Sequence, residues 1–186
     1  MAADVLAAGP DEARYQFDRV QRWLHWIMAA LIFAAIALGV VSDYLPAGRQ
    51  PRQGLLEVHK SIGLTILALI VVRVIWRLMR SEPPYRTPLG RLNHLASRAG
   101  HVLLYALMLF VPITGYLYSA AGGYDLPWFG LLQWPRLVPH DDGLSAWGKL
   151  LHDRGGWVIA AVVGLHLAAV VWHHWIKRDD VLSRMT

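Results

Sequence analysis

Four histidines stand inside or at the edge of stretches that otherwise have the composition of lipid-buried helices: His25, His59, His152 and His166. An imidazole ring is costly in hydrocarbon unless its nitrogens are satisfied, so an intramembrane histidine indicates a functional site. Its neutral ring nitrogen is also the commonest side-chain ligand of metal ions. His152 and His166 are 14 residues apart, so on one helix their rings lie on nearly the same face, about 21 Å apart. This spacing suggests two stacked cofactors.

Long uncharged stretches predict that the chain crosses a membrane. Of its 186 residues, 55% are hydrophobic and 17% are charged, whereas about 25% charged residues is usual in soluble domains. Three uncharged stretches, 23–41, 100–124 and 155–176, are long enough to span hydrocarbon, and 55–79 is a fourth span with basic residues near its ends. Lipid offers the backbone no hydrogen-bond partners and β-barrel alternation is missing, so all four spans are predicted to be helices.

Basic residues are distributed unequally between the two sides of the predicted membrane domain. With four spans, both termini lie on one side, which carries 12 Lys and Arg residues against six on the other. The positive-inside rule therefore predicts cytoplasmic termini. Residues 1–186 are predicted to form a single domain, with 1–14 as a flexible tail. No basic soluble domain is evident that would indicate a nucleic-acid partner.

This topology sorts the four histidines into two levels. His59 and His152 fall near the outer side, whereas His25 and His166 fall toward the cytoplasmic side. Facing helices at each level could supply two axial ligands to a haem iron from opposite directions. A zinc ion would instead require three or four ligands converging on one point. The chain has no cysteine, which excludes disulfides, cysteine-ligated iron–sulfur clusters and covalent c-type haem.

Three further side chains are candidates for contacts with a haem propionate or a quinone. His101, in the third span, could make such a contact or be an ordinary interhelical histidine. Arg73, in the second span, could bind the same groups or serve as an anchor at the cytoplasmic side. His173 lies seven residues after His166, and its depth matches that of His25 better. Depth alone therefore leaves the inner ligand open between His166 and His173.

Several short motifs together resemble those of the bacterial cytochrome b561 family. They are RWLHW at 22–26, HKSIG at 59–63, VVR at 71–73, WR at 76–77, GHVLLY at 100–105, PITG at 112–115, PWF at 127–129, GLH at 164–166 and HH at 173–174. The resemblance extends over most of the chain, from residue 15 to residue 185.

The resemblance implies an all-α integral membrane protein, a four-transmembrane-helix bundle that holds two b-type haems in the bacterial inner membrane. It implies that His25, His59, His152 and His166 are the axial ligands of the haem irons. It thereby favours His166 over His173 as the inner ligand, and His173 becomes a candidate for quinone contact. The implied partners are membrane lipid and ubiquinone.

The short stand-alone members of this family imply a specific reaction, the oxidation of superoxide at the periplasmic face with reduction of ubiquinone. Superoxide, or another periplasmic donor, could be attracted at close range by four basic residues, Lys60, Arg49, Arg52 and Arg154. The outer face has no net charge to steer an anion from a distance. One alternative is a cytochrome b subunit that anchors a dehydrogenase or hydrogenase, its redox partner protein, and passes that enzyme's electrons to quinone. Another is a haem-free membrane scaffold or transporter.

Overall fold

Four long helices make up most of the protein. The computed structural model describes residues 13–86 and 90–186. The helices are α1 (Arg19–Asp43), α2 (Arg52–Met79), α3 (Arg91–Ala121) and α4 (Asp142–Val171), and a π-helical segment (Trp172–Lys177) continues α4. Each of the four is long and apolar enough to cross a membrane, which confirms the predicted helical spans. The flexible tail predicted over residues 1–14 lies outside the described residues, except for its last two.

Aspartate side chains cap the first turns of α1 and α4. The carboxylate of Asp18 accepts a hydrogen bond from the backbone N–H of Gln21 at 3.0 Å, and Asp141 does the same for Leu144 at 2.8 Å. Such caps satisfy N–H groups that lack a partner within the helix. The capped first turn places the start of α4 at Asp142, well before the uncharged stretch 155–176.

The connection between α3 and α4, residues 122–141, forms a cap at one end of the bundle, which we call the cap face. It contains an antiparallel hairpin of two short strands, β1 (Pro127–Trp128) and β2 (Leu132–Gln133). The buried hydroxyl of Ser61 on α2 accepts a hydrogen bond from the backbone N–H of Phe129 at 2.9 Å. This bond fixes the hairpin against α2.

The described part of the N-terminal segment, residues 13–18, meets the C-terminal segment at the opposite end of the bundle, which we call the termini face. The backbone N–H of Phe17 donates to the carbonyl of Arg184 at 3.0 Å, and the indole N–H of Trp26 donates to the carbonyl of Met185 at 2.8 Å. The guanidinium of Arg184 lies 3.6 Å from the centre of the Tyr85 ring. These contacts join the N-terminal segment, the α2–α3 connection and the C-terminal segment.

An apolar core fills the middle of the bundle. Its buried members are Met28, Ile62, Ile66, Ile70, Leu107, Met108 and Ile159. On α4, Ile159 lies seven residues from both His152 and His166, which is about two helical turns in each direction. On α2, the buried isoleucines lie between His59 and Arg73. The core therefore separates two levels of polar side chains.

Many large apolar side chains remain on the outside of the bundle. Leu78, Val102 and Leu165 have exposed fractions of 82%, 68% and 71%. An apolar surface this extensive is unfavourable in water and is expected on a protein surrounded by lipid. The chain is accordingly a multi-pass membrane protein.

Asp18 also connects α1 with α2, because its carboxylate accepts a hydrogen bond from the indole N–H of Trp76 at 3.1 Å. Burial of this carboxylate raises its pKa, but hydrogen bonds from Gln21 and Trp76 outweigh burial and lower the pKa of Asp18 below 3.8. A group whose pKa is lowered by folding stabilises the fold above its unfolded pKa. That contribution disappears as the pH falls through the folded pKa.

We therefore expect Asp18→Ala to destabilise the protein more than Asp141→Ala, the matched variant that removes the helix N-cap of α4. Loss of either helix N-cap costs about 0.5–2 kcal/mol, but only Asp18→Ala also leaves the indole N–H of Trp76 without its partner. The midpoint of thermal unfolding in detergent measures both variants. The deficit of Asp18→Ala should shrink as the pH falls below 3.8. Equal deficits for the two variants, or a deficit independent of pH, would contradict this account.

Candidate functional site

His59 of α2 and His152 of α4 face each other near the cap face. Their ring centres are 5.8 Å apart and their planes are almost perpendicular, at 88°. A metal ion bonded at about 2.0–2.1 Å to one nitrogen of each ring would hold the two ring centres roughly 6 Å apart. The observed spacing therefore suits one metal ion between the two rings. We call this pair the cap-side pair.

Each ring of the cap-side pair is held by a backbone carbonyl of the neighbouring helix. Nδ1 of His59 lies 2.9 Å from the carbonyl oxygen of Ala35 on α1, and Nδ1 of His152 lies 2.9 Å from that of Val111 on α3. A carbonyl oxygen can only accept, so each Nδ1 carries the proton and donates it. Each Nε2 then keeps its lone pair, which is the arrangement usual for metal-binding histidines.

A glycine lies against each of these rings, one helical turn beyond the accepting carbonyl. A Cβ atom on Gly39 of α1 would lie 3.4 Å from the ring of His59, and one on Gly115 of α3 would lie 2.7 Å from Nδ1 of His152. The second distance is too short for any side chain, so the approach of His152 to α3 requires glycine. The sequence alone assigned no role to either glycine. The detectable signals were the single glycine of the first apolar span and Gly115 in the PITG motif of the third.

A cavity of about 720 Å³ opens beside the cap-side pair. Its volume lies within the range of about 300–1,000 Å³ that is usual for cofactor and ligand sites. Gly63 and Gly156, each one turn after a histidine of the pair, line this cavity, and a Cβ on either would meet no atom within 4 Å. The lining also includes the apolar side chains Ile32, Ile66, Met108 and Ile159. Space for a flat, largely apolar group therefore adjoins both rings.

Charged residues also line the cavity, near the cap face. They are Arg52, Lys60, Lys149, Asp43 and Asp153. Nζ of Lys60 donates to the carbonyl of Asp125 at 2.8 Å, and Lys149 pairs with Asp153. The buried Nε of Arg52 has no hydrogen-bond partner among the described residues. A group with an apolar body and an anionic edge, such as haem b, fits this division between apolar wall and charged mouth.

Three histidines meet at the second level, nearer the termini face. The ring of His166 on α4 lies 6.4 Å from that of His25 on α1 and 5.6 Å from that of His101 on α3. Nδ1 of His101 donates to the carbonyl of Ser97 at 2.7 Å, which leaves its Nε2 free. Within residues 13–86 and 90–186, no three His, Asp or Glu side chains are arranged to hold one metal ion. A metal at this level would therefore take two of the three histidines.

Arg73 belongs to this second level, whereas His173 does not. Nη2 of Arg73 lies 3.0 Å from Nδ1 of His25. The Nδ1 atom of His173 is paired with the carboxylate of Asp179, in the C-terminal segment at the termini face. The structure thus places Arg73 and His101 beside His25 and His166, and places His173 with Asp179.

The contact between Gly115 and His152 yields a prediction for haem binding. In Gly115→Ala the new Cβ would lie 2.7 Å from Nδ1 and 2.8 Å from Cε1 of a ring that is fixed by its bond to Val111. We expect about a 10–100-fold loss of haem affinity at the cap-side pair, the usual effect of disturbing the groups that orient a ligand. Haem content per protein and the reduced-minus-oxidised spectrum measure this loss.

Gly100→Ala is the matched control in the same helix, because a Cβ at position 100 would meet nothing within 4 Å. This variant should keep the cap-side haem. If Gly115→Ala also keeps its full haem content, the ring of His152 is not confined as the geometry indicates.

Comparison with known proteins agrees with the geometry. The family model described as prokaryotic cytochrome b561 matches residues 16–186. Cytochrome b561 homolog 2 of Escherichia coli (strain K12) is 31% identical over 164 residues, which cover 87% of this chain and 86% of that protein. Cytochrome b561 homolog 1 of the same organism is 26% identical over 172 residues, or 91% of this chain and 96% of that protein. The probable superoxide oxidase CybB of Yersinia pestis is 27% identical over 178 residues, or 91% and 95%.

The family match covers all four membrane-crossing helices and both histidine levels. It confirms the resemblance that the motifs indicated. The chain belongs to the prokaryotic cytochrome b561 family, whose helical membrane proteins carry b-type haem and transfer electrons.

Proposed function

We propose that this protein holds two b haems and carries electrons from superoxide at the cap face to ubiquinone near the termini face. The observation that carries the proposal is the presence of two facing histidine pairs at two levels, with ring centres 5.8 and 6.4 Å apart. The name of the Yersinia pestis relative, a probable superoxide oxidase, supports superoxide as the donor. In the balanced reaction, two superoxide ions, one ubiquinone and two protons give two dioxygen molecules and one ubiquinol.

His59 and His152 would hold the cap-side haem, and His25 and His166 would hold the second haem. Haem iron supplies one-electron transfer when bound. The chain contributes the ring orientations and a low-dielectric surrounding. His166 suits the second pair because it follows His152 by almost four turns on the same face of α4. His101 is the alternative partner of His166 at this level.

The cap face contributes local positive charge at the proposed entry point for superoxide. Lys60 and Arg52 line the cavity mouth, while Lys149 is paired with Asp153. Attraction between an anion and partly exposed cations such as these acts over about 8 Å at physiological ionic strength. The mouth can therefore concentrate superoxide only at short range. This agrees with the zero net charge that the predicted topology gives to the outer side of the protein.

The termini face contributes groups for quinone and proton binding. The carboxylate of Asp179 accepts a hydrogen bond from Nδ1–H of His173, so that Nε2 of His173 can accept a hydrogen bond from another group. We propose His173 as a quinone contact, and Arg73 and His101 as contacts for a propionate or for quinone. The excess of basic residues on this side favours a cytoplasmic termini face in the bacterial inner membrane, where protons for ubiquinol would enter.

The ligand assignment predicts separate loss of the two haems. His59→Ala or His152→Ala should remove the cap-side haem and leave the other, because each removes one of only two axial ligands. Haem-to-protein ratio and low-temperature spectra of the purified variants measure this. Loss of both haems from a folded variant, or of neither, would contradict the pairing.

The same measurement distinguishes the candidates at the second level. His25→Ala and His166→Ala should each remove the second haem, whereas His101→Ala and His173→Ala should keep it. Retention of haem in His25→Ala together with its loss in His101→Ala would assign His101 as the partner of His166. Loss in His173→Ala would assign His173 instead.

The reaction itself is tested by stopped-flow mixing of haem-loaded protein with superoxide, with and without ubiquinone. Superoxide should reduce the haems on the time scale of stopped-flow mixing. Ubiquinone should then reoxidise them without any second protein. His173→Ala should retain haem reduction by superoxide and slow reoxidation by ubiquinone. Haems that superoxide leaves oxidised would rule out the proposed donor and favour a subunit that receives electrons from a dehydrogenase or hydrogenase.

A further inference from the structure

Arg73 is a cation near the C-terminal end of α2, and its hydrogen-bond partners among the described residues are all neutral. Its Nε donates to the hydroxyl of Tyr105 at 3.2 Å, its Nη2 bonds to Nδ1 of His25 at 3.0 Å, and its Nη1 lies 3.9 Å from the sulfur of Met28. None of the ion pairs formed within the described residues includes Arg73. A guanidinium in a low-dielectric site has its strongest partner in a carboxylate, which can accept two parallel hydrogen bonds.

The bond between Arg73 and His25 determines which nitrogen of His25 is available. A guanidinium has donors and no acceptor, so Nδ1 of His25 must be the acceptor of this bond. In a neutral imidazole the other nitrogen, Nε2, then carries the hydrogen. Arg73 therefore occupies the only acceptor nitrogen of His25. A metal ion can bind His25 only after Arg73 has released it.

His59 and His152 show the opposite arrangement. Their Nδ1 atoms donate to backbone carbonyls, so each Nε2 is already available to a metal. The cap-side pair is thus prepared for ligation, whereas His25 at the second level is held in a state that does not bind a metal. The difference follows from one neighbour, an arginine in place of a carbonyl.

We propose that Arg73 makes haem ligation by His25 depend on a carboxylate. This inference rests on the proposed function, in which His25 would hold the second haem. Arg73 stays protonated, and its Nη2–H, which donates to Nδ1 of His25, would donate instead to a carboxylate of haem b. His25 then has a free acceptor nitrogen and can turn that lone pair to the iron. Tyr105 acts as a positioning residue, because its bond to Nε keeps the guanidinium at this level during the exchange.

The test uses the His59→Ala chain, in which only the second level remains for haem. Haem-free protein in detergent is titrated with haem b and with its dimethyl ester, which lacks both carboxylates, and the Soret band gives each Kd. With Arg73 present, the ester should bind at least about tenfold more weakly than haem b. In the same chain carrying Arg73→Met, haem b should bind more weakly and the ester more tightly, because no bond to His25 must be broken.

The increase in ester affinity distinguishes this proposal from a simple contact between Arg73 and a propionate. A simple contact predicts that Arg73→Met weakens haem b and leaves the ester unchanged, and that result would overturn the proposal. Ester binding as tight as haem b in the presence of Arg73 would overturn it as well.

Arg77→Met is the matched control. Arg77 lies one turn further along the same face of α2 and pairs with Glu82 at 3.4 Å, so its removal should leave the preference for haem b unchanged. Folding of Arg73→Met is checked in the chain with His59 intact, where the cap-side haem should be retained. If folded His59→Ala protein binds no haem at all, the proposed second haem site fails, and this proposal fails with it. If His59→Ala protein binds one haem, but Arg73→Met leaves its preference for haem b over the ester unaltered, only the proposed role of Arg73 is refuted.

Discussion

An imidazole ring placed in lipid has two nitrogens to satisfy and no water to satisfy them. At the cap-side level the backbone carbonyls of Ala35 and Val111 each accept from one Nδ1, which leaves Nε2 on both rings for a metal. Much of the architecture follows from this requirement. α1 must lie against α2 and α3 against α4, and the ring of His152 fits against α3 only because residue 115 is glycine. The packing of the helices therefore also determines which nitrogen of each ring is available.

Helix number and histidine level could be predicted from the sequence because both depend on one segment at a time. The length of an apolar stretch gives a span, and the rise per residue separates His152 from His166. The rotation of one helix against another depends on pairs of segments. For this reason the sequence did not predict that His101 lies beside His166 or that Arg73 bonds to His25. The sequence did not predict that α4 begins at Asp142, because its first turns carry charges and the span was predicted from the length of an uncharged stretch. Asp141 was nevertheless a recognisable signal for a helix N-cap.

The apolar core has a consequence for what can pass between the two levels. On α4, the stretch 155–165 between the two levels contains Ile159 and no ionisable side chain. An ion in such a medium is costly, whereas an electron needs no bonded path of polar groups. The same packing that stabilises the bundle therefore insulates the cap-face charges from Arg73. The separation of the cap-face charges from Arg73 is therefore due to the apolar core as much as to any cofactor.

The hydrogen bonds of the two cap-side histidines bear on how the protein is inserted into the membrane. In this respect α1 and α2 form one helical hairpin, and α3 and α4 form a second. His59 bonds to α1, the helix that precedes it in the chain, and His152 bonds to α3 in the same way. The first partner of each polar ring is thus already synthesised when the ring leaves the ribosome. Each hairpin can enter the bilayer as a unit with that bond closed, which lowers the cost of transferring a histidine into lipid. The contacts between the two helical hairpins, and those of the C-terminal segment with Phe17 and Trp26, must wait for the rest of the chain.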